Sequence, residues 1–109
     1  LVTNDGSKPT HYALKRFNIS EYFSVIVTRD DVERLKPRPD GIVKALNALQ
    51  VPTSQAIFIG DSYIDIIAAK EAGIKVAAVI GGAHSHDKLN EFSPHYVIQS
   101  LTDVLKLIS

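Results

Sequence analysis

The chain has 109 residues, which is enough for one domain and too few for two. It carries 12 Lys and Arg residues against 12 Asp and Glu residues, so its formal net charge is zero. This balance argues against a nucleic-acid partner, because such binding depends on neutralising phosphates. Apolar residues make up 45% of the sequence, which predicts a packed core rather than a disordered chain.

The sequence also excludes several kinds of site and segment. It contains no cysteine, which rules out disulfides, zinc–thiolate sites and cysteine nucleophiles. No apolar run approaches the roughly 18 residues of a membrane span, and no signal peptide is visible, so we expect no membrane partner and a cytoplasmic location. There is no Met, even at position 1, and we interpret the opening Leu1-Val2 as a cut, a processing site or a boundary.

Strand and helix signals alternate along the first half of the chain. Residues 1–3 are typical of the end of an apolar strand, and a helix is predicted to open at Ser7 or Lys8. The β-branched run at residues 24–28 predicts a second strand, and a polar loop follows over residues 29–39. The apolar face of the first helix is predicted to consist of Ala13, Leu14 and Phe17.

The second half continues this alternation. Asp40 is a good N-cap for a helix with the 3.6-residue period, and an apolar strand follows at residues 56–60. The next helix is predicted to run to Ala72, with Gly73 after its end, and to be followed by strands at residues 76–80 and 96–98. Ser100 and Asp103 resemble a capping box for a last helix, whose predicted inner face is Val104, Leu105 and Ile108.

The predicted strands are apolar throughout rather than alternating, which is typical of strands buried on both faces. Together with the strand–helix alternation, this predicts an α/β fold, a Rossmann-like three-layer α/β/α arrangement around a parallel sheet. No repeat, low-complexity stretch or interdomain linker is visible, so residues 1–109 are expected to form one unit with no second domain.

Polar residues follow three of the predicted strands, where ligands bind in open α/β sheets. Thr3 and Asn4 follow the first strand, Lys36 lies beyond the second, and Asp61 and Asp65 follow the third. A hydroxyl, an amide, an ammonium and two carboxylates at one sheet edge suit a phosphate held beside Mg²⁺, which prefers oxygen ligands.

These residues carry a resemblance to a known family, the haloacid dehalogenase-like hydrolases. Leu1-Val2-Thr3-Asn4 is similar to the family's second motif, and Lys36-Pro37-Arg38-Pro39-Asp40 is similar to its third. Phe58-Ile59-Gly60-Asp61-Ser62-Tyr63-Ile64-Asp65 resembles the fourth, the most specific of the three. The order and spacing are closest to phosphoglycolate phosphatase-like and pyrophosphatase-like members, and the resemblance covers nearly the whole chain.

The resemblance implies a role for each matching residue. Thr3 and Lys36 would be catalytic, and together with Asn4 they would bind the substrate phosphate. Asp61 would bind Mg²⁺, and Asp65 would support that metal from behind or bind it through water. The implied activity of the intact parent is Mg²⁺-dependent hydrolysis of a phosphate monoester of a small metabolite, through an aspartyl-phosphate intermediate.

The sequence departs from the family in one respect. The family's first motif, which supplies the nucleophilic Asp at the end of the central strand, is not found, although residues 3–7 mimic it superficially. We therefore interpret the chain as the C-terminal part of a hydrolase core that lacks the central strand. We expect the chain alone to be inactive, and we expect an upstream fragment or a strand-exchanging second copy to fill the gap in preference to direct pairing across it.

Simpler interpretations stay open for each of these residues. Asp61 could serve only as a helix cap, Lys36 could be an ordinary surface residue, and Thr3 and Asn4 could be turn residues. The segment His84-x-His86-Asp87 is interpreted as a polar loop rather than a metal site. At the level of function, the alternatives are a metal-independent haloacid dehalogenase, a non-catalytic interaction or regulatory domain, and a flavodoxin-like or receiver-like binding domain. Mg²⁺ dependence would separate the first alternative from a phosphatase.

Overall fold

The computed structural model describes residues 1–81 and 84–108. Its sheet contains three parallel strands in the order β1 (Ile57–Gly60), β2 (Lys75–Val79) and β3 (Tyr96–Ile98). The register places Phe58 beside Val76 and Ala78 beside Val97. The α/β class and the parallel sheet are therefore confirmed, and each of these strands lies within one residue of its predicted position.

Helices connect the strands. The described chain contains α1 (Ser7–Arg16), α2 (Asp40–Leu49), α3 (Tyr63–Ala72), α4 (His86–Asn90) and α5 (Val104–Ile108). No helix in this part of the chain is long and apolar enough to cross a membrane. Helix α3 ends as predicted, because Gly73 adopts φ +78°, a conformation that glycine tolerates without strain.

The first two predicted strands lie outside this sheet. Residues 1–3 and 25–27 form a short parallel ladder, which we name the N-terminal pair. The amine of Leu1 donates to the Val25 carbonyl at 2.9 Å, Val27 N–H donates to the Leu1 carbonyl at 2.8 Å, and Thr3 N–H donates to the Val27 carbonyl at 3.0 Å. The regular strands pair only as β1–β2 and β2–β3 within the described residues, so the N-terminal pair and β1 are not joined.

The core lies between β2 and the helices α2, α3 and α4. Ile42, Ile66, Val76 and Leu89 are fully buried and belong to one apolar cluster, against which Phe58 packs. Because α3 follows β1 directly, burying Ile66 in this cluster also fixes the position of the loop between β1 and α3. Each such buried aliphatic side chain contributes about 1.5–3 kcal/mol.

Several local expectations are wrong. Asp40 is not the N-cap of α2: that position belongs to Pro39, and Asp40 instead pairs with Arg34 at 3.0 Å. On α1 only Leu14 of the predicted apolar face is buried, whereas Phe17 remains 71% exposed. Periodicity identifies an apolar face but does not show that a partner for it exists within these residues.

The last helix and β1 are also less buried than expected. In α5, Leu105 and Ile108 are exposed instead of forming an inner face, although the predicted capping box between Ser100 and Asp103 is present. All four residues of β1 are only partly buried, because among the described residues β1 pairs with a strand on one edge alone.

The predicted polar loop around His86 is partly helical. His86 and Asp87 form the first turn of α4, which Ser85 caps by accepting a hydrogen bond from Lys88 N–H at 3.3 Å. The two glycines expected to precede this loop are Gly81 and Gly82, and the second lies outside the described residues.

Candidate active site

The ammonium group of Lys36 lies at the centre of the site. Its Nζ donates to the Val2 carbonyl at 3.1 Å and to Asp65 Oδ1 at 2.7 Å, and it lies 5.5 Å from the ring centroid of Phe58. The Lys36 side chain is only 11% exposed. The lysine therefore links the N-terminal pair to the first turn of α3, the helix that follows β1.

Asn4 holds the loop that carries this lysine. The backbone N–H of Lys36 donates to Asn4 Oδ1 at 3.0 Å, and Asn4 Nδ2 donates to the Lys36 carbonyl at 3.1 Å. Both polar ends of the Asn4 side chain are thus bonded to the backbone of Lys36. This arrangement gives Asn4 a positioning contact, while its predicted contact with a phosphate stays a prediction.

Asp65 is buried behind the site. Its side chain is 9% exposed, and it uses one oxygen for Lys36 and the other to accept the backbone N–H of Asp61 at 3.2 Å. A Cβ on Gly60 would lie 2.4 Å from the Asp65 side chain, so only glycine permits this approach. Since both carboxylate oxygens are engaged, the geometry favours the supporting role for Asp65 over direct coordination of a metal.

The carboxylate of Asp61, unlike that of Asp65, is available to bind a ligand. It lies directly after β1, is exposed, and its carboxylate has no hydrogen-bond or ion-pair partner among the described residues. Ser62 caps α3 by accepting from Ile64 N–H at 3.1 Å, so Asp61 is not needed as the cap. The residues fit Mg²⁺ with Asp61 as the protein ligand, because this ion commonly takes one or two carboxylates together with waters and substrate phosphate.

Thr3 stands at the end of the N-terminal pair, one residue after Val2. Its Oγ1 accepts the backbone N–H of Asp5 at 3.1 Å, which leaves the hydroxyl hydrogen free to donate. This geometry is compatible both with the predicted phosphate contact and with the simpler role of Thr3 in a turn.

His84 packs against Tyr63, the first residue of α3. The ring of His84 lies 5.0 Å from that of Tyr63, which also stacks on Phe92 at 5.1 Å. Within residues 1–81 and 84–108, no three His, Cys, Asp or Glu side chains are grouped so that they could hold a metal.

Three features of the site were not identified from the sequence: the Val2 carbonyl, the Phe58 ring beneath Lys36, and Gly60. Gly60 had a usable signal, because a glycine immediately before a predicted strand-end aspartate indicates a close approach. The other two depend on how the loop of Lys36 folds back over β1.

The chain matches a family model described as haloacid dehalogenase-like hydrolase over residues 1–79. It is 38% identical over 108 residues to the pyrophosphatase PpaX of Halalkalibacterium halodurans, an alignment that covers 99% of this chain and 50% of that protein. The chain therefore spans about half the length of the relatives it matches.

The chain also superposes on solved structures, and it again covers about half of their length. A predicted phosphoglycolate phosphatase from Haemophilus somnus superposes with a TM-score of 0.91 at 27% identity, covering 99% of this chain and 48% of that one. A hydrolase from Pseudomonas syringae superposes with a TM-score of 0.84 at 26% identity, covering 96% of this chain and 49% of that one.

Proposed function

Because the chain belongs to the haloacid dehalogenase-like hydrolases, we propose that it forms part of a Mg²⁺-dependent phosphatase acting on phosphate monoesters of small metabolites. The observation that carries this proposal is that the site contains both an ammonium group held by two hydrogen bonds and an exposed carboxylate. The ammonium of Lys36 is held by Val2 and Asp65, while Asp61, directly after β1, presents a carboxylate that has no partner among the described residues.

Phosphoryl transfer depends mainly on positioning and on stabilising charge in the transition state. Lys36 supplies a positive charge whose position is fixed before substrate arrives, because Asn4 holds the backbone of Lys36 and Asp65 holds its ammonium group. Thr3 supplies a hydroxyl donor for a phosphoryl oxygen. These are two of the three phosphate-binding residues that the resemblance implies; the third, Asn4, has both polar atoms of its side chain bonded to the backbone of Lys36.

Asp61 would hold the Mg²⁺ ion. The ion would offset the negative charge of the phosphate and orient it. Asp65 would keep Asp61 in place, since it accepts the Asp61 backbone N–H.

The nucleophile is proposed to come from polypeptide outside residues 1–109. A carboxylate oxygen would attack phosphorus and the bond from phosphorus to the substrate oxygen would break, giving an aspartyl phosphate that water then hydrolyses. Within the described residues, Asp65 bonds Lys36 and also accepts the backbone N–H of Asp61, and the roles above already engage the carboxylates of both aspartates.

The test uses the full polypeptide that contains these residues. Release of inorganic phosphate from p-nitrophenyl phosphate and from phosphoglycolate is measured with Mg²⁺ and with EDTA. Asp61→Asn is expected to lower kcat by about 10²-fold or more, while Asp87→Asn, which changes a fully exposed carboxylate, serves as the matched control. Turnover that persists in EDTA, or a fully active Asp61→Asn variant, would contradict the proposal.

A second substrate class has a specific observation in its favour, namely the 38% identity to a protein named as a pyrophosphatase. Inorganic pyrophosphate is therefore the third substrate in the assay. Higher kcat/KM for pyrophosphate than for both esters would favour an anhydride substrate. Turnover of a 2-haloacid without Mg²⁺ would instead indicate a dehalogenase.

A further inference from the structure

Tyr63 joins the loop after β1 to the part of the chain that follows β2. It is the first residue of α3 and is partly buried. Its ring stacks on that of Phe92 with centroids 5.1 Å apart and an interplanar angle of 24°, and the His84 ring lies 5.0 Å away. The Lys88 ammonium lies 5.8 Å from the Tyr63 centroid and 5.7 Å from that of Phe92. We name Tyr63, His84, Lys88 and Phe92 the aromatic cluster.

Phe92 anchors the aromatic cluster to the core. Its side chain packs against the buried apolar residues, and its backbone N–H donates at 3.1 Å to the carbonyl of Leu89, a fully buried residue of α4. Stacked aromatic rings attract each other beyond the area that they bury, and an ammonium group about 6 Å from a ring centroid adds a cation–π attraction. The Tyr63 ring is therefore fastened to a part of the structure that lies outside the candidate site.

Tyr63 lies only two residues after Asp61, and two residues of chain span at most about 7 Å. Asp65 accepts the backbone N–H of Asp61 at 3.2 Å, and Ser62 accepts from Ile64 N–H at 3.1 Å. Neither contact involves the side chain of Asp61. The segment from Asp61 to Tyr63 is therefore held at its first residue by Asp65 and at its last residue by the aromatic cluster.

The position of this segment matters for a magnesium ion. Mg²⁺ requires nearly ideal octahedral geometry, so a displaced carboxylate ligand lowers its affinity. The Asp61 carboxylate has no partner among the described residues, so its position depends on the backbone that carries it. The Tyr63 hydroxyl likewise has no hydrogen-bond partner among them, so the contacts that hold this backbone in place at Tyr63 are those of the ring.

We propose that Tyr63 is a positioning residue for Asp61, and that it acts through the contacts of its ring with Phe92, His84 and Lys88 rather than by touching metal or substrate. This inference rests on the proposed function, because it takes Asp61 to be the residue that binds Mg²⁺. Its consequence is that the affinity for a divalent cation depends on an aromatic ring at position 63.

The test measures Mn²⁺ binding, as a probe for Mg²⁺, to the full polypeptide that contains these residues. The paramagnetic resonance signal of free aqueous Mn²⁺ gives a Kd without any turnover. Tyr63→Leu keeps an apolar side chain but loses the ring, and is expected to raise this Kd about three- to tenfold, the range that aromatic pair energies correspond to. Tyr63→Phe keeps the ring and should bind Mn²⁺ as the unmodified protein does. Tyr12→Leu, which changes an exposed aromatic residue of α1, is the matched control and should also leave the Kd unchanged.

Kinetics separate positioning from simple packing. In the release of phosphate from p-nitrophenyl phosphate, Tyr63→Leu should raise the Mg²⁺ concentration that gives half the maximal rate by the same factor as the Mn²⁺ Kd. At saturating Mg²⁺ its kcat should return to within about twofold of the unmodified value. A purely packing role would lower the stability in urea and leave the metal affinity unchanged. Circular dichroism confirms folding, and if Tyr63→Leu does not fold, Phe92→Leu, which removes the stacking partner, decides by the same rise in Kd.

Asp61→Asn distinguishes failure of this inference from failure of the proposed function. If Asp61→Asn binds Mn²⁺ as tightly as the unmodified protein, the metal site is wrong and the inference falls with it. If Asp61→Asn loses Mn²⁺ while a folded Tyr63→Leu variant keeps an unchanged Kd, the proposed function stands and the positioning role of Tyr63 is wrong. A rise in Kd for Tyr63→Phe as large as that for Tyr63→Leu would also overturn it, because the ring is then not what acts. So would a kcat that stays low at saturating Mg²⁺.

Discussion

Asn4 bonds both backbone polar groups of Lys36, accepting from its N–H at 3.0 Å and donating to its carbonyl at 3.1 Å. The two residues are 32 positions apart, and the second of them lies on a loop rather than in a regular element. This one side chain therefore ties the lysine loop to the end of the N-terminal pair and determines where the ammonium can reach.

Replacing Asn4 should release that loop. Asn4→Ala leaves a partly buried N–H and carbonyl of Lys36 without partners, so we expect the free energy of unfolding to fall by about 1–3 kcal/mol. Urea denaturation of the 109-residue chain measures the change. Asn47→Ala, at an exposed position on α2, is the matched control and should cost less than the site variant. Equal effects of the two changes would show that the Asn4 contacts contribute nothing specific.

The Lys36–Asp65 pair should be sensitive to the loss of either partner. Both side chains are about nine-tenths buried, so Asp65→Asn or Lys36→Met leaves an uncompensated charge and should cost about 3–5 kcal/mol. The double variant Lys36→Met/Asp65→Asn should cost less than the sum of the two single changes.

An exposed ion pair serves as the comparison for the Lys36 and Asp65 variants. Arg38 and Glu71 lie 3.9 Å apart with both side chains nearly half exposed, so Glu71→Gln should change stability by about 1 kcal/mol or less. Strict additivity of the Lys36 and Asp65 changes would contradict a direct coupling between them.

Gly60→Ala should disturb the site without adding any charge. The new methyl group would lie 2.4 Å from Asp65, whose carboxylate is held on both oxygens, so either the strand or the aspartate must move. We expect a loss of about 1–3 kcal/mol by thermal unfolding. Gly41→Ala meets a methyl group of Val2 at 2.8 Å, with methyl groups of Val27 and Val32 at 3.7 and 4.0 Å, and should cost less. The reverse order would refute the proposed tight contact at Gly60.

Acid should weaken one capping interaction. The pKa of Asp31 is lowered chiefly because its carboxylate accepts the backbone N–H of Thr28, and also because it accepts the Thr28 hydroxyl. A lowered folded-state pKa means that this contribution to stability is present above the ordinary pKa, near pH 4, and is lost as the pH falls through the lowered value.

The measurement compares Asp31→Asn with the unmodified chain in urea between pH 6 and pH 2. The difference in unfolding free energy should shrink as the solution is acidified. Glu33→Gln, which changes a nearby exposed carboxylate, is the control and should show a smaller pH dependence. A constant difference for Asp31→Asn across the range would exclude the capping explanation.

The 109-residue chain on its own should not hydrolyse phosphate esters. Its two carboxylates at the site are assigned to metal binding and to support of Lys36, which leaves none as nucleophile. Phosphate release from p-nitrophenyl phosphate in Mg²⁺ should equal the rate without protein. Robust turnover that survives repurification would instead implicate the segment of residues 3–7 as a divergent first motif.

The order of the elements and the place where the site forms could be predicted from the sequence. Apolar runs of strand length alternate with helical periodicity, and in a parallel sheet the residues after each strand converge on one edge. This is why Lys36, Asp61 and Asp65, which are far apart along the chain, were expected to lie together, and two of them are in direct contact.

The different contacts and burial of the site residues depend on the tertiary structure. Residue types do not show that Asn4 is bonded to a backbone or that Asp65 is buried while Asp61 is exposed, because these depend on which groups fold back over β1. The same holds for the exposed faces of α1 and α5 and for the open edge of β1: periodicity is a property of one segment, whereas burial needs a second surface to cover it.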